Sequence, residues 1–285
     1  MGPEVIITNE QIKMLPDNVR LIYSEFKKFI RPDSDLQRYL VLCSNVFEVS
    51  CSQNLAEHRE LHNAQRILSA IVNCYELLMD SEERLAFKGL IAQIEANSLG
   101  PKTQGGSLGL NAVFELEFLQ YVRHRKIKAR LGEPDIVLSA PFGDYYVACK
   151  SINSLKNIES NLDKAASQIA LRGVGVVALN FEHHVYYDEV FMAHHPRQVA
   201  EALDNNLTDL YRSYEELFKS KLAAGAFDGI AIQICCVASV QEQEVGLSTM
   251  IHNVYYSRAN LQSTDSIERF KAFRGAMQGP ISFFG

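Results

Sequence analysis

Residues Gly132 to Ile152 read Gly-Glu-Pro-Asp-Ile-Val-Leu-Ser-Ala-Pro-Phe-Gly-Asp-Tyr-Tyr-Val-Ala-Cys-Lys-Ser-Ile. Two β-prone runs, Ile136-Val137-Leu138 and Tyr145-Tyr146-Val147, flank Pro141-Phe142-Gly143-Asp144, whose proline and glycine suit a tight turn. The pattern predicts a β-hairpin. A turn centred between Phe142 and Gly143 sets Asp135 opposite Lys150 and Val137 opposite Ala148. Opposed residues of an antiparallel pair share a face. Ile136, Leu138, Val147 and Cys149 then form an apolar face that needs a core, while Asp135, Ser139, Ala148 and Lys150 share the other. A carboxylate and a lysine meet near the hairpin's open end.

Pro134-Asp135, a hairpin, and then Ala148-Cys149-Lys150 together resemble the motif of the PD-(D/E)xK nucleases, the restriction-endonuclease-like superfamily. The resemblance covers roughly residues 105 to 182, and it departs from the family at Ala148, where the family carries Asp or Glu. A naturally degenerate member and an engineered, inactivated one both account for the alanine, and the intactness of the other parts favours removal of the acid. The resemblance implies an α+β fold, a central mixed sheet flanked by helices, with the core order helix, three strands, helix, strand. It implies a Mg²⁺ or Mn²⁺ site built from Asp135, the acid missing at 148, and the Cys149 carbonyl. Such a hard ion takes oxygen ligands and retains water. It also implies that Lys150 positions or deprotonates the attacking water and offsets the charge that builds on the phosphate. Many members add a helix-borne carboxylate, which Glu115 matches, and a Gln or Lys on the helix after the hairpin, which Gln168 and Lys164 match.

Composition bounds these expectations. A chain of 285 residues with 47% hydrophobic content can bury one large core or two smaller ones. The six cysteines form no Cys-x-x-Cys pair and fit a reducing cytoplasm. No apolar run reaches membrane-spanning length, and the first residues, Met1-Gly2-Pro3-Glu4, lack the pattern of a signal peptide, so no membrane is expected as a partner. The net charge of −6 confines any contact with phosphates to local patches. One candidate is Arg123, Arg125, Lys126, Lys128 and Arg130, a run free of acids that reads equally well as a helix end carrying cations.

Residues 1 to 100 read as a helical module for regulation or assembly. Leu21, Ile22, Phe26 and Ile30 recur at helical spacing, as do Ile67, Ile71, Tyr75, Leu78 and Met79, and Asp80 with Glu83 forms a capping pair. With 10 basic and 14 acidic residues this module is a poor DNA binder and a better surface for a partner protein or a second copy. The break at Gly100-Pro101 opens the second domain, 101 to 285. Gly105-Gly106-Ser107-Leu108-Gly109 precedes a helix, but it lacks the Gly-Lys-Ser/Thr ending of a phosphate-binding loop. On the helix from Leu110 to His124, Glu115 lies in a stripe with Ala112, Leu119 and Val122, while Glu117 projects elsewhere and is the weaker candidate. Lys126 to Leu131 is the expected first strand. A helix from Leu155 to Arg172 buries Leu155, Ile158, Leu162, Ala165 and Ile169, and sets Lys164, Gln168 and Arg172 along another stripe. Val174 to Asn180 is apolar throughout and suits a strand covered on both faces. A long helix from Pro196, two strands and a closing helix follow.

Other chemistries fit less well. His183-His184 and His194-His195 are adjacent pairs whose members point apart on a strand, which argues against chelation. No Gly-x-Ser-x-Gly occurs, and Cys149 points into the core. The expected activity is a metal-dependent DNA endonuclease, by analogy an effector of bacterial or phage defence, nearly inactive as written. A scaffold or nucleic-acid-binding protein that keeps the fold without catalysis, and a ribonuclease, are the alternatives.

Overall fold

Asp80, Ser34 and Thr8 each accept a backbone N–H at a helix start, and these caps set the boundaries of three helices in the first part of the chain. The computed structural model describes residues 7–100, 108–184, 189–242, 247–258 and 260–278. Within them, the first part is helical as expected: α1 (Asn9–Glu25), α2 (Asp35–Ser44), α3 (Val46–Cys51), α4 (Leu55–Glu76) and α5 (Ser81–Ala96). The buried stripe of α1 is Ile12, Val19, Ile22 and Tyr23, continued by Phe26. Leu21 is 68% exposed, since it lies a third of a turn from Ile22, and Met79 is exposed beyond the end of α4. The boundary expected at Pro101 and residues 103–107 of the glycine-rich stretch lie outside the described residues.

α6 (Leu108–His124) leads into β1 (Ala129–Leu131), β2 (Ile136–Ala140) and β3 (Gly143–Ser151). α7 (Ile158–Ala170), β4 (Gly175–Asn180), β5 (Phe191–Ala193), α8 (Pro196–Ala223), β6 (Gly229–Val240), β7 (Ser248–Tyr256) and α9 (Thr264–Gln278) complete the α+β chain. The sheet runs β1-β2-β3-β4-β6-β5, with β7 also paired to β6. β1, β2 and β3 are antiparallel, β4 lies parallel to β3 and β6, and β7 returns antiparallel. A central mixed sheet flanked by helices, preceded by a helical module, is the fold class read from the sequence.

The hairpin is tighter than expected. Ala140 pairs with Gly143, and Ile136 with Val147, so the turn centres on Pro141-Phe142 and the register moves by two residues. Gly143, with φ near 107°, supplies a left-handed conformation that a side chain would resist. An even shift leaves every side chain on its expected face. β1 begins at Ala129 and not at Lys126, because Lys126 takes φ 63° in a turn where its N–H donates to the Arg123 carbonyl. Leu155 falls in a 3₁₀ turn before α7 and is exposed, outside the buried stripe of Ile158, Leu162, Ala165 and Ile169. β5, three residues long, escaped the sequence reading.

Strand alternation divides the core. Ile136, Leu138, Val147, Cys149, Val176 and Ala178 face α6, the helical module and α9. Ala148, Val177, Leu179, Ile230 and Ile232 face α7 and α8. β4 is therefore buried along its whole length, as its apolar run predicted. Close packing fixes Gly175, where a Cβ would lie 2.0 Å from the Tyr146 carbonyl oxygen.

Buried charges join the module to the sheet. Arg66 of α4 pairs with Glu117 of α6 at 2.7 Å and with Glu182, just after β4, at 2.8 Å, and it also donates to the Cys235 sulfur on β6. Burial, and then the neighbouring Glu182, push the Glu117 carboxyl up to about 7 against the pull of Arg66. Arg66 and local hydrogen bonds hold Glu182 below its ordinary value despite burial. A carboxyl raised on folding contributes stability that is complete below its unfolded value of 4.5 and is lost as pH rises toward about 7. Glu117→Gln is therefore expected to flatten the pH dependence of the urea midpoint across that window. Arg66→Ala leaves two buried acids without their cation and is expected to cost about 3–5 kcal/mol at pH 8, and much less at pH 4.5. An equal loss at both pH values would contradict the electrostatic account.

Candidate functional site

The antiparallel ladder between β2 and β3 stops at Ile136 and Val147, and what happens next builds the site. β3 runs on through Ser151, still paired to β4, while the chain before β2 turns away through Gly132 to Pro134, with the Gly132 N–H donating to the Asp135 carbonyl. A notch opens along one edge of β3. Into it points the backbone of Cys149, whose N–H donates to Asp135 Oδ2 at 2.6 Å. The Asp135 side chain thus takes a ladder position that backbone has vacated.

Lys150 closes the notch. Its Nζ lies 3.1 Å from Asp135 Oδ2 and 2.9 Å from the Cys149 carbonyl oxygen, with the lysine 14% and the aspartate 9% exposed. Burial raises the Asp135 carboxyl, and Lys150 and the Cys149 N–H oppose that rise. From the other side α6 presents Glu115, half-buried, whose carboxyl is pushed well above its ordinary value by burial and then by the negative charge of Asp135. Asp135, Glu115, Lys150 and the Cys149 carbonyl therefore form one electrostatic unit. The Cys149 side chain lies in the opposite core, as alternation requires, and burial drives its thiol well above its usual value.

The remaining candidates sit differently. Ala148 is fully buried, on the α7 face with Ile158, Leu162 and Ala165, and so offers the notch only a methyl group. Lys164 is exposed; Gln168 is half-buried, with Oε1 enclosed and without a hydrogen-bond partner among the described residues. Neither is hydrogen-bonded to Asp135 or Lys150 among the described residues. The oxygen donors that could hold a cation are the Asp135 and Glu115 carboxylates and the Cys149 carbonyl, a hard set short of one acid. Among the described residues no group of three or more His, Cys, Asp or Glu is gathered for a metal, and no helix is long and apolar enough to cross a membrane.

The basic run from Arg123 to Arg130 is largely used inside the molecule. Arg123 pairs with the fully buried Glu83 and donates to the Ala129 carbonyl, Arg125 donates to the Ala276 carbonyl, and Arg130 lies 3.8 Å from Asp144. Lys126 and Lys128 remain exposed. Sequence reasoning missed Arg66, Glu182 and the buried role of Glu117. The available signal was an arginine beside the apolar Ile67 and an acid between Leu116 and Phe118.

Comparison of the chain with family models, curated proteins and solved structures returns no match. The site must therefore be judged on its own geometry. Lys150→Met, which strands a buried Asp135, is expected to destabilise the chain by about 3 kcal/mol at neutral pH. Lys150→Met combined with Asp135→Asn should recover much of that loss, because the buried charge is gone. Additive losses in denaturant melts would show that the two side chains are not coupled.

Proposed function

We propose that the chain is a metal-dependent nuclease of the PD-(D/E)xK type, acting on DNA phosphodiesters, whose site lacks one carboxylate. The observation that carries this reading is the convergence of Asp135, Lys150 and the Cys149 carbonyl at the end of a broken ladder, with Glu115 brought in from α6. The order α6, β1, β2, β3, α7, β4, with three antiparallel strands and the fourth parallel to the third, supports it. A bound Mg²⁺ or Mn²⁺ would polarise the scissile phosphate and lower the pKa of a coordinated water. Asp135, Glu115 and the Cys149 carbonyl would hold it. Lys150 has two tasks here: its ammonium now neutralises Asp135, and beside a phosphate it would offset the charge that develops there. A ribonuclease with the same site is the alternative in substrate; cytoplasmic residence and a role in defence belong to the proposal, and the helical module is its regulatory or assembly part.

A specific observation favours a second reading, a non-catalytic binding or scaffold protein of the same fold. Asp135 is already satisfied by Lys150 and the Cys149 N–H, and Ala148 is packed among apolar side chains. A notch satisfied in this way holds together without metal.

Ala148→Glu separates the two. The new carboxylate starts from the face that bears Lys150, and it is expected to produce Mg²⁺- or Mn²⁺-dependent cleavage at least about 100-fold above the parent, since one ion does several catalytic jobs. Ala148→Asp, with a shorter side chain, is the second variant where packing under α7 resists the longer acid. Adding Asp135→Asn or Lys150→Met should remove the activity, whereas Cys149→Ala should leave it. The assay uses plasmid, linear and single-stranded DNA and RNA, with a chelator control. Folded variants that bind Mn²⁺ and cut none of these substrates would put the scaffold reading first.

A further inference from the structure

α7 sorts its charges by side. Glu159 and Asp163, one turn apart, both engage Lys221 of α8, at 3.4 and 2.7 Å. Lys164, Gln168 and Arg172 follow one another at four-residue intervals along a different side. Arg172, just past the last turn, pairs closely with Glu133, which lies two residues before Asp135 in the loop that ends at the notch. One end of the stripe is therefore fixed beside the candidate site. Lys164, at the other end, is exposed.

The Arg172 to Glu133 pair does little for the fold. The arginine is 47% and the glutamate 73% exposed, and exposed ion pairs contribute little to stability. A guanidinium recognises a carboxylate and a phosphate with the same planar, two-pronged geometry. Glu133 is thus a replaceable anion on a cation held at the loop that precedes Asp135. From Lys164 to the end of α7 at Ala170 the helix rises about 9 Å, the axial span of two to three phosphates of one B-form strand, and Arg172 lies just beyond.

We propose that Arg172 is a backbone-phosphate anchor held by Glu133 in the free protein, and that a nucleic-acid strand displaces Glu133 and lies along the Lys164–Arg172 side of α7 toward Asp135 and Lys150. This inference rests on the nucleic-acid reading above and adds to it the path of the strand. Arg172 and Lys164 are positioning residues here, and neither takes part in bond cleavage.

The test is binding, so it needs no activity. Anisotropy titrations of the full chain with labelled single-stranded and duplex oligonucleotides, in EDTA and at several salt concentrations, give affinity and its salt slope. Arg172→Gln is expected to weaken binding about five- to tenfold and to lower the slope by about one released counterion, with Lys164→Gln in the same direction. Glu133→Gln should tighten binding, and that gain should vanish in the Arg172→Gln background. Arg197→Gln, at the start of α8, controls for loss of charge in general. If the parent binds but Arg172→Gln matches it, or matches Arg197→Gln, the anchor is wrong while the nucleic-acid reading stands. If Glu133→Gln tightens binding equally with and without Arg172, the exchange is wrong. A parent chain that binds neither oligonucleotide would overturn the nucleic-acid reading, and this inference with it.

Discussion

α6 is enclosed by the helical module on one side and by the sheet on the other, and this enclosure is the constraint from which most of the structure follows. Ala112, Val113, Phe114, Leu116, Phe118, Leu119 and Val122 are all buried, which leaves the helix almost no face for solvent. A charge on such a helix must find a partner or change its protonation. Glu117 finds Arg66, Arg123 finds Glu83, and Glu115 borders Asp135 and Lys150. Each partner comes from a different element, so α6 is tied by charge to α4, α5 and the hairpin at once. Glu83 carries the tie further, since its carboxylate also accepts the Leu131 N–H and so pins β1.

The same constraint separates a structural acid from a candidate functional one within two residues. Glu117 meets a full guanidinium and a second acid at the wall of a small cavity, an arrangement that ties α4, α6 and the end of β4 together. Glu115 meets Asp135 and Lys150 where a backbone ladder has ended and those two side chains cap the edge of β3. Raised carboxyl values alone would not distinguish them, because burial raises both. What differs is the neighbourhood: Glu115 lies by a strand edge whose N–H and carbonyl are taken up by Asp135 and Lys150, whereas Glu117 lines a small cavity with Arg66 and Glu182.

Much of this was legible in the residues. Side-chain alternation is a property of the strand and not of the turn, so Asp135 and Lys150 met even though the turn centres one residue earlier than Phe142-Gly143 and the pairing shifts by two. The all-apolar run of β4 announced burial on both faces, and Asp80 with Glu83 marked the start of α5. The unread parts depend on distant contacts. Arg66 and Glu182 are separated by 116 positions, and no local period couples them. The run from Arg123 to Arg130 looked like a surface track because its partners, Glu83 and the Ala276 carbonyl, lie far away in the chain. Short β5 is held by its ladder to β6, a tertiary choice that three residues cannot signal.

Charge accounting at the notch gives position 148 its meaning. As the chain stands, Lys150 pairs with Asp135, and Glu115 is pushed well above its ordinary value by burial and by the charge of Asp135. Asp135 is then satisfied by Lys150 and the Cys149 N–H without a metal ion. A carboxylate at 148, on the Lys150 face, would leave two acids against one ammonium and would raise the cost of keeping Glu115 ionised still further. A cation would relieve that imbalance, and oxygen donors around it would suit a hard one. In the proposed reading, a single methyl group therefore marks the difference between a notch that is stable without metal and one that requires it.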